Sequence, residues 1–298
     1  MSERSGWRVL IVGCGSVGIE LGRQLTESGH LVWGMRRTVS ALPSYILPIP
    51  GRLETLEGAP ELPPQLDFVV LTSSSDSRTD DGYRRAYVDT AANLLTALVQ
   101  QGQGPTRILV ASSTGVYEQA GGEWINEDSP ASPQYFTGKR LLEGEQVILS
   151  GPFPSTIVRF AGIYGPDRIR LLSRVARGEE VRLEGDPIYT NRIHRDDCAG
   201  IFRMLLGHDY PRSVYVGVDH EPVERSELLC WLAEQLGVPV PPVVSGADLS
   251  ARLLRSNKRC SNRAIVEAGY QFRFPTFREG YGRLIEEIKA SSRSEHPI

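Results

Sequence analysis

The feature that most constrains this chain is a glycine triad, Gly13-Cys-Gly15-Ser-Val-Gly18, set between an apolar run and a helical pattern. Arg8 to Val12 is short and rich in β-branched residues, as a strand buried on both faces requires. From about Ser16 to Ser28, Val17, Leu21 and Leu25 recur every four positions, and Gly29 supplies a helix stop. A strand, a glycine turn and a helix in that order open a βαβ unit whose loop admits a pyrophosphate, since backbone amides reach phosphate only where no side chain intervenes. Gly13 then serves the tight turn, Gly15 the close approach and Gly18 the packing of helix on strand, with the amides near Ser16 and Val17 donating to phosphate.

The alternation continues. Leu31 to Met35 reads as a second strand, the Pro-rich stretch Pro43 to Pro64 contains a third near Tyr45 to Ile49, and Phe68 to Thr72 gives a fourth. A helix over Tyr83 to Gln101, a strand over Ile108 to Ser112, a helix over Tyr135 to Leu149 and a strand over Thr156 to Phe160 complete six strands. The expected fold is α/β, a doubly wound parallel sheet of the Rossmann type occupying residues 1–165. Beyond it the elements shorten: a helix near Leu171 to Arg177, a helix starting at Asp196 and capped by Asp196 or Asp197, a strand at Val214 to Val218 and a helix over Ser226 to Leu236. Residues 166–290 should form a small C-terminal substrate-binding cap that can return elements to the sheet, and residues 291–298 a frayed tail.

Composition narrows the function. With 33 basic against 36 acidic residues the net charge is −3, and the arginines are interspersed with acids as in Arg78-Thr-Asp-Asp81, so nucleic acid is not an expected partner. Apolar runs fall far short of the ~20 residues of a membrane span, and the polar start Met1-Ser-Glu-Arg-Ser5 leads into no signal core. Cys14, Cys198, Cys230 and Cys260 stand far apart, which fits free thiols in a cytoplasmic protein. The five histidines lack ligand spacing, so no metal is expected, and no Gly-x-Ser-x-Gly elbow marks a serine hydrolase.

A site for NAD places an acid at the end of the second strand to accept from the ribose 2′-hydroxyl. Leu31 to Ser40 has none and carries Arg36-Arg37-Thr38 instead, so NADP is the expected cofactor and NAD the weaker candidate, a guanidinium being suited to clamp a 2′-phosphate. Tyr135-Phe-Thr-Gly-Lys139 places a phenol and an ammonium one helical turn apart in a chain that has only three lysines. A nearby cation favours phenolate, which makes Tyr135 a usable proton carrier at neutral pH. Upstream, the fifth strand ends in Ser112-Ser113-Thr114-Gly-Val-Tyr117, at the sheet edge where ligands sit.

These segments resemble the short-chain dehydrogenase/reductase superfamily, in its extended or atypical branch of sugar-nucleotide epimerases and dehydratases, over nearly the whole chain. The resemblance implies catalysis by Ser113, Tyr135 and Lys139, with Glu118 standing where the family usually has glycine. It implies that Thr72 and the segment containing Ala161 and Ile163 line the cofactor. It places Ser73, Ser74, Thr114, Tyr117, Arg192 and His194 near the substrate, although His194 can equally serve a local hydrogen bond. Its reaction is reversible hydride transfer at a carbinol or carbonyl carbon, of a nucleotide sugar or of a smaller carbonyl compound, ending in epimerisation, reduction or oxidation. Dehydration fits least, because Thr114-Gly115 follows Ser113 where dehydratases carry an acid pair. Relatives dimerise through the two helices flanking the sheet, and the apolar residues of Tyr83 to Gln101 and Tyr135 to Leu149 allow a homodimer here. The alternative is a regulatory protein of the same fold that binds NADP(H) without turnover.

Overall fold

A computed structural model describes residues 6–245 and 256–294. Seven strands form one all-parallel sheet: β1 Arg8–Val12, β2 Leu31–Arg36, β3 Leu47–Pro50, β4 Phe68–Leu71, β5 Arg107–Ser113, β6 Ser155–Phe160 and Val214–Gly217. Their order is Val214–Gly217, β6, β5, β4, β1, β2, β3, the doubly wound arrangement, whose direction of winding reverses between β1 and β4. β3 carries Pro48 and Pro50 and lies at the sheet edge, the place where a missing N–H donor costs no ladder bond. The strand at Val214–Gly217, expected among the short elements of the cap, instead extends the sheet beyond β6, with Tyr215 and Val216 buried.

Helix α1 Ser16–Glu27 covers one face together with a later helix, and their apolar stripes meet Val9, Ile11, Val70 and Leu109 in one core. The other face is covered by α2 Asp80–Tyr83, a π-helical turn Arg84–Asp89, α3 Thr90–Gln100 and α4 Phe136–Leu149. The second helical stretch therefore begins earlier than its periodicity indicates, because the Thr79 side chain accepts from Gly82 N and caps it. The wide turn shows in Thr90, whose hydroxyl donates to the Arg85 carbonyl five residues back. Of the apolar residues on these helices, Ala91, Leu94, Ala97, Leu98 and Ile148 are buried within the subunit, whereas Val99 and Leu149 are exposed.

Past β6 the chain forms β7 Gly162–Tyr164, helix α5 Arg170–Ala176 and β8 Arg192–His194, and β7 and β8 pair in parallel as a ribbon projecting from the carboxyl edge of the sheet. Helix α6 Arg195–Leu206 then packs beside α1. The strand Val214–Gly217 is β9; after it come α7 Arg225–Leu236, α8 Arg263–Glu267 and α9 Phe277–Ser294. α9 was not expected, though Phe277, Tyr281, Leu284 and Ile285 carry a helical period and are all buried. It continues through residues 291–294, the first half of the expected frayed tail, while residues 295–298 lie outside the described residues. All four cysteines are free thiols. Among the described residues no helix is long and apolar enough to cross a membrane.

Candidate active site

The glycine turn joins β1 to α1 as expected, and its three glycines have different reasons to be there. Gly13 has φ +74°, and a Cβ on it would meet Ser73 Cα at 2.5 Å, so the fold itself demands glycine. At Gly18 a Cβ would meet Ile11 Cγ2 at 2.9 Å, which is the close seat of helix on strand. Gly15 is the N-cap of α1 at φ −98°, and a Cβ there would meet nothing nearer than the Gly13 carbonyl at 3.8 Å. Among the described residues, nothing packed at position 15 requires glycine. The cradle fits a group that must come within contact of the backbone. The N-cap offers no side-chain hydrogen bond, which leaves the first-turn amides of α1 for an anion. Cys14 is buried in the core, and burial pushes its thiol up to about 12.

A cleft opens from this loop to the ends of β2 and β3, lined by Gly13, Gly15, Arg36, Arg37, Ser73 and Ser74 among the expected residues. Sequence reasoning missed Arg52, Glu54 and Asp76, which line it as well. Arg37 Nη2 contacts Asp76 Oδ1 at 2.6 Å, Arg52 Nη1 contacts Glu54 Oε1 at 2.8 Å, and Arg36 Nη1 donates to the Cys14 carbonyl at 3.3 Å. Arg52 lies two residues past the end of β3, and that position after the strand expected near Tyr45 to Ile49 was the signal that could have found it. Thr72 is a staple, its hydroxyl donating to the Gly13 carbonyl at 3.0 Å, and Ser16 Oγ donates to Asp167 Oδ1 at 2.8 Å.

Ser113 ends β5, and its Oγ accepts from Gly115 N at 3.1 Å, which leaves its proton to donate elsewhere. Tyr135 is the N-cap of α4, with extended backbone and a 46% exposed side chain, so it stands just before the helix rather than in its first turn. Lys139 N still donates to the Tyr135 carbonyl at 3.0 Å, which keeps the pair one turn apart. What presses this end of α4 onto the serine turn is Gly138, where a Cβ would lie 2.7 Å from the Gly115 carbonyl and 2.5 Å from Pro133. Ser113, Thr114, Tyr135 and Lys139 thus belong to two segments in direct contact. Glu118 fixes the approach to Tyr135, because its Oε2 accepts from Gln134 N at 3.2 Å.

No family model matches the chain. A solved structure described as a candidate NAD-dependent epimerase/dehydratase of Methylobacillus flagellatus is 32% identical, covering 96% of this chain and 100% of that one with a TM-score of 0.75. The chain belongs to that family, an extended branch of the short-chain dehydrogenases/reductases. Two further structures share the fold: human epimerase family protein SDR39U1 with NADPH (20% identical, 94% of this chain and 99% of that chain, TM-score 0.77) and MoeE5 with UDP-glucose and NAD (24% identical, 96% and 100%, TM-score 0.77).

In this chain the residues behind Ser113 form a buried polar cluster that the sequence did not reveal. Ser112 Oγ donates to Glu145 on α4, and Arg159 of β6 reaches the same carboxylate through Nε at 3.1 Å and Nη2 at 2.6 Å. Arg159 Nη1 donates to the Tyr117 hydroxyl at 2.8 Å. Tyr117, expected beside the substrate, is 1% exposed and serves this cluster instead; burial pushes its phenol up, with Arg159 opposing. His194 is likewise inside, 2% exposed, and it rather than Asp196 or Asp197 caps α6, its Nδ1 accepting from Asp196 N at 3.1 Å. Burial lowers His194 to about 4, so the imidazole is neutral and serves as that acceptor. Asp197 accepts from Tyr270 Oη, Arg273 N and Phe274 N and ties the C-terminal segment to α6. Arg192 stands half-buried opposite Gly162 on the ribbon, and Ala161 N donates to Gly217 O at 3.3 Å.

Proposed function

We propose that this chain is an NADP(H)-dependent enzyme that moves a hydride reversibly at a carbinol carbon, with Ser113, Tyr135 and Lys139 as its catalytic residues. The observation that carries the reading is the docking of the Tyr135–Lys139 turn onto the Ser113 turn through Gly138, at the carboxyl end of β5. A nicotinamide, when bound, supplies the hydride acceptor or donor. Ser113 Oγ, already accepting from Gly115 N, donates its proton to the substrate oxygen and orients it. Tyr135, half exposed at the start of α4, exchanges the hydroxyl proton, and Lys139 one turn on holds the nicotinamide ribose. Gly15 gives the pyrophosphate its approach, and Arg36 and Arg37 read the 2′-phosphate. The NADPH of the human relative and the NAD of MoeE5 both suit such a cradle, and the lack of an acid at the end of β2 favours the phosphorylated form.

Tyr135→Phe tests the reading, since it removes only a hydroxyl. Turnover should fall by ~10²-fold or more with NADPH affinity near that of the parent. Turnover close to the parent's would overturn the assignment. The same reading has two copies meet through α3 and α4, where Val99 and Leu149 remain exposed. Light scattering at micromolar concentration should then give twice 32.9 kDa, and a mass at the single-chain value removes the dimer.

A further inference from the structure

Three segments distant in the chain converge on one carboxylate oxygen. Asp167 Oδ1 accepts from Ser16 Oγ at 2.8 Å and from Arg195 Nη1 at 3.3 Å. Ser16 follows Gly15 directly and opens α1, Asp167 stands between β7 and α5, and Arg195 is the first residue of α6. A seryl hydroxyl and a guanidinium meeting at one point, beside a glycine that lines the nucleotide cleft, are donors suited to a phosphate oxygen. The Asp167 carboxylate sits where that oxygen would be.

The guanidinium and the carboxylate are held very differently. Arg195 is fixed without Asp167: Nε and Nη2 donate to Asp196 Oδ1 at 3.1 and 3.0 Å, Nη2 lies 3.9 Å from Glu20 Oε2, and the side chain is 19% exposed. Its base is seated on Gly165, where a Cβ would come within 2.9 Å of Arg195 Cβ. Asp167 has a 50% exposed side chain and rides on the turn closed by Arg168 N on the Gly165 carbonyl at 2.9 Å. An ion pair with so wet a partner is worth little, so the carboxylate can leave while the guanidinium stays aimed at the same point. A pyrophosphate that comes to Gly15 comes also to its neighbour Ser16, and like charge keeps it from sharing that hydroxyl and guanidinium with a carboxylate. We propose that Arg195 is a further cofactor-binding residue, a ligand of the dinucleotide pyrophosphate, and that Asp167 is its displaceable cover; this rests on reading the glycine turn as a dinucleotide cradle. Binding exchanges one anion for another on Ser16 and Arg195. It also frees the turn that joins β7 to α5, so the connection into the cap answers to the cofactor.

The test is calorimetric titration with ADP-ribose, which carries the pyrophosphate but neither nicotinamide nor 2′-phosphate. Adenosine, followed by saturation-transfer NMR, is the probe without phosphate. Asp167→Asn should tighten ADP-ribose by about fivefold or more and leave adenosine unchanged. Arg195→Met should weaken ADP-ribose by about fivefold or more, and Asp167→Asn added to it should recover less than about twofold, because the cover then has nothing to uncover. Asp167 is exposed, so its variant should fold even if that of Arg195 does not. Unchanged or weaker ADP-ribose binding by Asp167→Asn, equal tightening of adenosine, parent-like binding by Arg195→Met, or the full gain in the double variant each overturns the proposal. NADPH binding by the parent would in those cases leave the hydride-transfer reading standing. A parent that binds neither NADPH nor ADP-ribose removes the dinucleotide cradle, and the proposal with it.

Discussion

Arg159 and Arg37 each meet a carboxylate at 2.6 Å near the carboxyl edge of the sheet, but the side chains of Arg159 and Glu145 are 7% and 2% exposed, while those of Arg37 and Asp76 are 55% and 49% exposed. Behind Ser113, the Glu145 carboxylate takes hydrogen bonds from Ser112 and from two nitrogens of Arg159, in surroundings where losing either partner strands a charge. At the nucleotide cleft, Arg37 and Asp76 keep much of their hydration, and their attraction is worth little. The buried pair therefore holds the scaffold: it ties α4, which carries Lys139, to β5 and β6. The exposed pair is free to exchange one anion for another, which is what a guanidinium reading a phosphate must do. Burial, and not the presence of an arginine at a strand end, separates the two jobs.

The largest effect expected from this contrast is at Glu145. Glu145→Gln removes the charge facing Arg159 with little change of shape, and loss of one member of a buried pair costs about 3–5 kcal/mol. Urea unfolding should show that loss with an unchanged slope. A change below about 1 kcal/mol would mean that water reaches Arg159 and that the two pairs are alike.

Next comes the glycine turn, which divides the same way between fold and ligand. Gly13→Ala places a Cβ 2.5 Å from Ser73 Cα at a left-handed φ and should destabilise the fold by a few kcal/mol. Gly15→Ala meets only an ordinary contact at 3.8 Å, so thermal unfolding should stay within about 0.5 kcal/mol of the parent while NADPH affinity falls at least tenfold. If both variants lost stability equally, Gly15 would be serving the fold and the argument for a close-approaching pyrophosphate would fail.

This division explains what could be read in the residue order. The parallel sheet, the glycine turn and the Tyr135–Lys139 spacing were legible because periodicity and short-range spacing carry them. The edge strand Leu47–Pro50 was blurred by its prolines, and with it went the position of Arg52. Tyr117 and His194 were expected at the substrate because their segments match the family, but side-chain burial depends on contacts far along the chain: Arg159 lies 42 residues from Tyr117, and Phe274 packs its ring 4.0 Å from that of His194. Glu145 gave no local sign at all, since its meaning comes from Ser112 and Arg159 on two different strands.

The smallest effect is at Asp76. In the parent, NADPH should bind at least tenfold tighter than NADH, a difference of ~1.4 kcal/mol, because only the phosphorylated ribose engages Arg36 and Arg37. Asp76 competes for Arg37, so a 2′-phosphate must displace a carboxylate that now sits 2.6 Å away. Asp76→Asn removes that competitor and also removes a negative charge from the cleft wall. NADPH should then bind a few-fold tighter, NADH should be unaffected, and stability should move by less than about 1 kcal/mol, the usual limit for an exposed pair. Quenching of tryptophan fluorescence by each cofactor measures both affinities. Equal affinities of the parent for the two would take Arg36 and Arg37 out of the site; weaker NADPH binding by Asp76→Asn would show that Asp76 positions Arg37 for the phosphate instead of withholding it, and would make the exposed pair a part of the scaffold after all.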